Sequence, residues 1–149
     1  MTYKEELYAE CILHVKKREH TVTTIISSNQ RALKSETKSS AGDKHETGRA
    51  MLQLEMEKAG QQLHSITQMK EILAKVDTNK KSELASLGSL VLTNKFSYFL
   101  SISAGEIEIT GRKCYAISIS SPIGKLLLGK QKGDKFTFNN NTIEIITVD

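Results

Sequence analysis

The chain has 149 residues and a formal net charge of +4, a length that suits one ordinary domain or two small ones. Hydrophobic residues make up 38% and aromatics 5%, with no Trp, which is lean for one compact core and fits a chain in which part buries only a narrow helical seam. The mild basicity is mixed with 17 acidic residues and permits an acidic partner without demanding one, while two isolated cysteines, Cys11 and Cys114, support neither a disulfide framework nor a structural zinc site.

The opening residues, Met1-Thr2-Tyr3-Lys4-Glu5-Glu6, are charged and carry no apolar run, so no signal peptide is expected. No apolar stretch is long enough to span a membrane, and the expected location is the cytoplasm. The first half reads as helix. No Pro occurs before residue 122. Leu7, Cys11, His14, Arg18, Val22, Ile25, Asn29 and Ala32 step by fours and threes, with Val15 and Ile26 widening the stripe; half of these positions are polar or small, so the seam is weak. Residues 35–43, rich in Ser, Thr, Lys and Gly, break the pattern and supply a turn. Beyond it Leu52, Met56, Ala59, Leu63, Ile66, Lys70 and Leu73 repeat the spacing, a coiled-coil seam with one charged interruption. Two helices joined by a short polar turn pack antiparallel. About 32 residues per arm at ~1.5 Å rise give a reach of roughly 48 Å.

Residues 78–83, Thr-Asn-Lys-Lys-Ser-Glu, have no apolar side chain and read as a linker. From about residue 88 the period falls to two. Phe96, Tyr98, Leu100 and Ile102 alternate, followed by Ile107 and Ile109, by Tyr115, Ile117 and Ile119, and by the run from Thr142 to Val148. Turn signals at Ala104-Gly105, Gly111-Arg112, Gly133-Asp134 and Asn139-Asn140-Asn141 separate them. Ser121 as N-cap, Pro122 at the first helical position and Gly129 near the end predict one short helix. The fold class is therefore α+β: residues 1–77 form a long antiparallel coiled-coil hairpin, 78–83 a linker, and 84–149 a small antiparallel-sheet domain with one helix.

The turn of the hairpin, Gly42-Asp43-Lys44-His45-Glu46, carries two carboxylates three residues apart. One reading is structural: Asp43 as N-cap and Glu46 three positions on approximate a capping box, and both charges favour a helix N-terminus. The other is chemical. Residues i and i+3 on a first turn project to one side, and Mg²⁺ often takes one or two protein carboxylates, leaving the rest of its shell to water and phosphate. Alone, Asp43 and Glu46 make a poor metal site; facing a second protein that supplies the remaining ligands, they complete one of the kind used to activate water in two-metal phosphodiester chemistry. Lys44 and Arg49 are candidates for RNA phosphate contact and His45 for orienting water or phosphate, each against the plainer reading of a solvated side chain.

A long antiparallel coiled coil with a Gly-Asp-x-x-Glu turn, followed by Ser121-Pro122-Ile123, Leu127, Gly129-Lys130 and Gly133-Asp134 at fixed spacing, resembles the bacterial Gre transcript-cleavage factors (GreA/GreB). The chain has His45 and Thr47 where the family's turn pattern has Ser and Asn. The resemblance covers nearly the whole chain and implies an FKBP-like C-terminal domain. It implies a monomeric elongation factor that docks at the secondary channel of RNA polymerase through that domain, near Ser121, Pro122 and Ile123. The hairpin then enters the channel, and Asp43 and Glu46 help hold a second Mg²⁺, shared with the polymerase rather than bound stably alone. The polymerase hydrolyses the 3′ end of backtracked nascent RNA, with the factor as accessory and not an enzyme in its own right. A non-cleaving occupant of the channel is the alternative. Two other classes stay open: a prolyl isomerase, which would need an aromatic-lined cleft, and a scaffold using the hairpin to oligomerise.

Overall fold

The computed structural model describes the backbone of residues 1–38 and 43–149, and the side chains of 1–35 and 47–149. Nine elements follow one another among these residues: α1 (Tyr3–Lys38), α2 (Asp43–Ala74), β1 (Leu90–Thr93), β2 (Ser97–Ser101), β3 (Gly105–Ile109), β4 (Arg112–Ser118), α3 (Pro122–Leu127), β5 (Lys135–Phe138) and β6 (Asn141–Val148). The expected order, a long helix pair followed by a sheet with one helix, is present. The chain divides into two compact units: residues 15–69, and residues 1–14 together with 70–149.

In the unit of residues 15–69 the two helices run antiparallel. Arg18 Nη1 approaches Met69 Sδ at 3.9 Å, and Asn29 Nδ2 donates to Glu55 Oε2 at 3.1 Å. As α1 advances from 18 to 29, its partners on α2 therefore retreat from 69 to 55. Val15, Val22 and Asn29 are buried on α1, and Ala59 and Ile66 on α2. Each helix thus turns every seventh residue inward, the spacing that keeps one stripe facing a partner. The stripe is narrow. Ile25, a seam position by spacing, is 39% exposed.

In the other unit, six strands form one sheet in the order β3-β4-β2-β1-β6-β5. All neighbours pair antiparallel except β2 and β4, where Tyr98 lies beside Tyr115 and Ser101 beside Ser118 in parallel register. The chain leaves β2 for the outer strand β3 and returns between the two as β4, which forces that pair to run the same way. Two hairpins are closed by two-residue loops, Thr110-Gly111 and Asn139-Asn140, with positive φ at all four positions. That is the type I′ geometry, whose twist matches that of the strands, and it explains the Gly and Asn residues found there.

Alternation splits the sheet into two faces. Val91, Tyr98, Leu100 and Ile145 pack with Ala85 and with Leu127 of α3, joined by Tyr115, Ile117, Ile123 and Phe136. Phe99, Ser101 and Cys114 alternate with these and are also buried. The Cys11 and Ser101 side chains meet there, Sγ to Oγ at 3.6 Å, so the first turns of α1 cover the face opposite α3. Arg112 stacks on the Tyr3 ring at 3.7 Å, and the Tyr8 hydroxyl donates to the Leu73 carbonyl at 2.9 Å. Burial pushes the Cys114 thiol up to about 12, with Cys11 adding to the rise and Arg112 opposing it. Burial also raises Cys11, against the hydrogen bond to Ser101. Both are closed, protonated packing residues rather than nucleophiles.

Candidate functional site

The segment from Ser121 to Asp134 gathers the sequence features that pointed to a partner, and its geometry separates what folds the domain from what is left for another molecule. Ser121 has extended backbone angles, φ −70° and ψ 158°, and its Oγ accepts from Gly124 N–H. That same Oγ donates to the Ser118 carbonyl at 2.6 Å. The hydroxyl both donates and accepts in capping α3 and closing the turn before it. Pro122 follows at the start of the helix, where its missing N–H costs nothing. Gly124 is required: a Cβ there would overlap the Ser118 carbonyl oxygen. Ile123 packs against the buried cluster and Leu127 lies within it.

The second half of the segment is equally architectural. Gly129, at φ +81°, ends the helix. Its N–H donates to Ala85 O at 2.8 Å, and Ala85 N–H donates to Lys130 O at 2.8 Å. Lys130 Nζ lies 5.8 Å above the Phe136 ring. Asp134 Oδ2 accepts from Gln131 N–H at 2.8 Å, and Gly133 N–H donates to Ile145 O at 2.8 Å. Ser121, Pro122 and Ile123 are thus brought together at one end of α3, but of the three only Pro122 is exposed. Lys125 is exposed on the same short helix, and Leu128 is exposed at its C-cap.

Asp43 is the first residue of α2, and Glu46 follows one turn on. The side chains of Asp43, Lys44, His45 and Glu46 lie outside the described residues, while Arg49 is exposed on α2. Among the described residues there is no group of three or more His, Cys, Asp or Glu side chains that could hold a metal ion, and no helix is long and apolar enough to cross a membrane.

Two further features take a place in the structure that spacing alone did not assign. Phe96 belongs to the alternating set but stands in the turn before β2, held by Thr93, whose Oγ1 donates to Phe96 O at 2.7 Å and accepts from Phe96 N–H at 3.0 Å. Its ring is 52% exposed and meets the Tyr115 ring edge-on at 5.2 Å. Between the helices of the other unit, a groove of about 530 Å³ is lined by Thr24, Ser28, Asn29, Glu55, Lys58 and Gln62 among others. Ile25 and Ala59 complete a lining of mixed character, and Asn29 stood in the sequence as a weak seam position without a stated partner.

Comparison with known proteins bears on the sheet unit most directly. Residues 85–149 match the family described as "Transcription elongation factor, GreA/GreB, C-term". A solved structure of a prokaryotic transcription elongation factor GreA/GreB from Nitrosomonas europaea is 21% identical, over 56% of this chain and 78% of that chain, with a TM-score of 0.34. The transcription factor Gfh1 is 18% identical, over 95% of this chain and 92% of that one, with a TM-score of 0.35. No curated protein matches the chain.

Proposed function

Because residues 85–149 match the C-terminal domain of the GreA/GreB transcription elongation factors, we propose that the chain is a cytoplasmic, monomeric factor that docks on bacterial RNA polymerase and stimulates cleavage of the 3′ end of backtracked RNA. The family match over the sheet unit is the observation that carries this reading. Docking falls to the end of α3. Ser121 and Ile123 are committed to the cap and the core, and Pro122 is the member of the motif that stands free on a rigid, capped turn. A residue held by its neighbours and unused by them presents a fixed contact at little entropic cost.

Asp43 and Glu46 supply the acidic part. Both fall in the first turn of α2, where positions i and i+3 lie on one side of a helix. Two carboxylates are oxygen donors of the kind Mg²⁺ accepts, and they are too few to complete its shell, which suits an ion shared with the polymerase and unsuited to retention by this chain alone. When bound there, such an ion would lower the pKa of a water so that it can attack a phosphodiester. The chain's own part is to present two negative oxygens from a helix start. The factor is accessory; bond cleavage belongs to the polymerase.

The test is transcript cleavage in a stalled, backtracked complex of the matching polymerase. Added factor is expected to shorten the RNA from its 3′ end, and the Asp43→Ala variant is expected to bind without doing so. His45 and Thr47, in place of the family pattern's Ser and Asn, favour one second reading, a channel occupant that does not cleave. Binding without stimulated cleavage by the unaltered protein would select it.

A further inference from the structure

The helix pair of residues 15–69 is built on a seven-residue repeat, and such a repeat does not by itself fix how far one helix is slid along the other. Val15 and Val22 on α1 are the same residue one heptad apart, and Ala59 and Ile66 on α2 are both small-to-medium apolar residues one heptad apart. Sliding α1 by seven positions still sets an apolar side chain against an apolar one at these sites, although Ala59 and Ile66 differ in size. Asn29 breaks the degeneracy. It occupies the next heptad position after Val22, is 8% exposed, and is the buried polar side chain among the described residues of this unit. Its amide has an acceptor in the Glu55 carboxylate at 3.1 Å.

We propose that the Asn29–Glu55 hydrogen bond sets the axial register of the helix pair, making Asn29 a positioning residue for whatever stands between the helices at their turn. Each neighbouring register is worse for this side chain. Slid one heptad one way, Asn29 faces Gln62, a neutral amide in place of a carboxylate, and charge-assisted bonds are roughly twice as strong as neutral ones. Slid the other way it faces Gly48, which has no side chain, and the amide loses its protein acceptor. A single polar residue in an apolar seam is a well-attested device for specifying alignment at some cost in stability. Register matters here because α1 ends at Lys38 and α2 begins at Asp43. A slip lengthens one helix at the expense of the other and changes which residues occupy the first turn of α2. On the function proposed above, that decides whether Asp43 and Glu46 are the residues presented.

The test uses spin labels at Lys17 and Gln53, both exposed, and measures the distance between them in the free, full-length protein. The unaltered sequence is expected to give one distance. Asn29→Val, which repeats the residue found at 15 and 22, is expected to stay folded and to show a second population displaced by about 10 Å, the rise of seven helical residues. Glu55→Ala changes an exposed position to a strong helix former and leaves Asn29 without its acceptor; it is expected to show the same second population. Glu55→Gln offers Asn29 the same neutral amide as Gln62 does in the neighbouring register and is expected to show both distances, whereas Glu55→Asp keeps a carboxylate and is expected to restore a single one. One unchanged distance in both Asn29→Val and Glu55→Ala overturns the proposal. The measurement does not involve the polymerase, so a register lock without stimulated cleavage would reject the function and leave the lock standing, and the converse would do the reverse.

Discussion

The Lys4 ammonium donates to the carbonyl oxygen of Asp149 at 3.2 Å and to that of Lys80 at 3.0 Å. One side chain in the first turn of α1 thereby holds the residue following β6 and the segment following α2. Burial lowers the Lys4 pKa, with Asp149 and Asp77 opposing the shift. The ammonium is partly withdrawn from water and compensated by carbonyl oxygens, an arrangement that is costly to leave half made.

Lys4→Met keeps most of the stem and removes the donor. Loss of the two carbonyl bonds is expected to cost about 1–2 kcal/mol, read as a lower urea midpoint with an unchanged slope. Lys16→Met, at an exposed position, is the control and should move the midpoint little.

Two glycines predict opposite signs. Gly60 sits inside α2 with nothing within 4 Å of an added Cβ, so Gly60→Ala should stabilise by roughly 0.5–1 kcal/mol through helix propensity and the unfolded chain. Gly124→Ala drives its methyl group into the Ser118 carbonyl and should destabilise by about 1–3 kcal/mol as α3 is pushed off its turn. Thermal unfolding of the two variants beside the parent checks both.

The buried Cys114 thiol gives a pH dependence with a definite direction. Its folded pKa is raised from 9.0 to about 12, so the neutral form is favoured in the fold. The unfolded state loses this proton first as pH rises. The contribution to stability is therefore complete below pH 9 and is lost as pH climbs towards about 12. Between these limits, the parent should lose stability more steeply than Cys114→Ala, measured by denaturant midpoints across the range.

For binding, Pro122→Glu changes an exposed side chain at the start of α3. It is expected to weaken polymerase capture at least tenfold while circular dichroism and melting stay close to the parent. Asp43→Ala and Glu46→Ala should show the reverse division, with capture retained and stimulated cleavage lost. Unaltered cleavage in both acidic variants would remove the role given to the carboxylates.

Local chemistry made some of this fold readable in advance, and non-local pairing made the rest unreadable. Ser121, Pro122 and Gly129 bracket α3 because capping, a missing N–H and a positive φ are properties of neighbouring residues. Gly111 and the Asn139-Asn140 pair marked their hairpins for the same reason. Alternation showed that Tyr98 and Leu100 share a face, but not that β2 runs parallel to β4, because a period of two carries no information about the neighbour. The short strands β1 and β5 gave too few residues to stand out. Leu7, Cys11 and Leu73 continue the helical spacing of the seam, yet belong to the compact unit that holds the sheet. Periodicity reports that a face is buried and is silent about what buries it. At the candidate site, the motif from Ser121 to Asp134 was plain as a pattern. That most of its fixed positions serve the fold, leaving Pro122 outward, depended on the approach of Gly124 to Ser118 and of Gly129 to Ala85, distances across the chain that spacing does not encode.

The reciprocal backbone bonds between Ala85 and the Gly129-Lys130 pair have a mechanical corollary. Ala85 joins the segment that enters this domain to the exit of α3 through two backbone bonds. The opposite end of that six-residue helix carries Pro122. A substitution that loosens the bonds at Ala85 is therefore expected to loosen the short helix that presents Pro122.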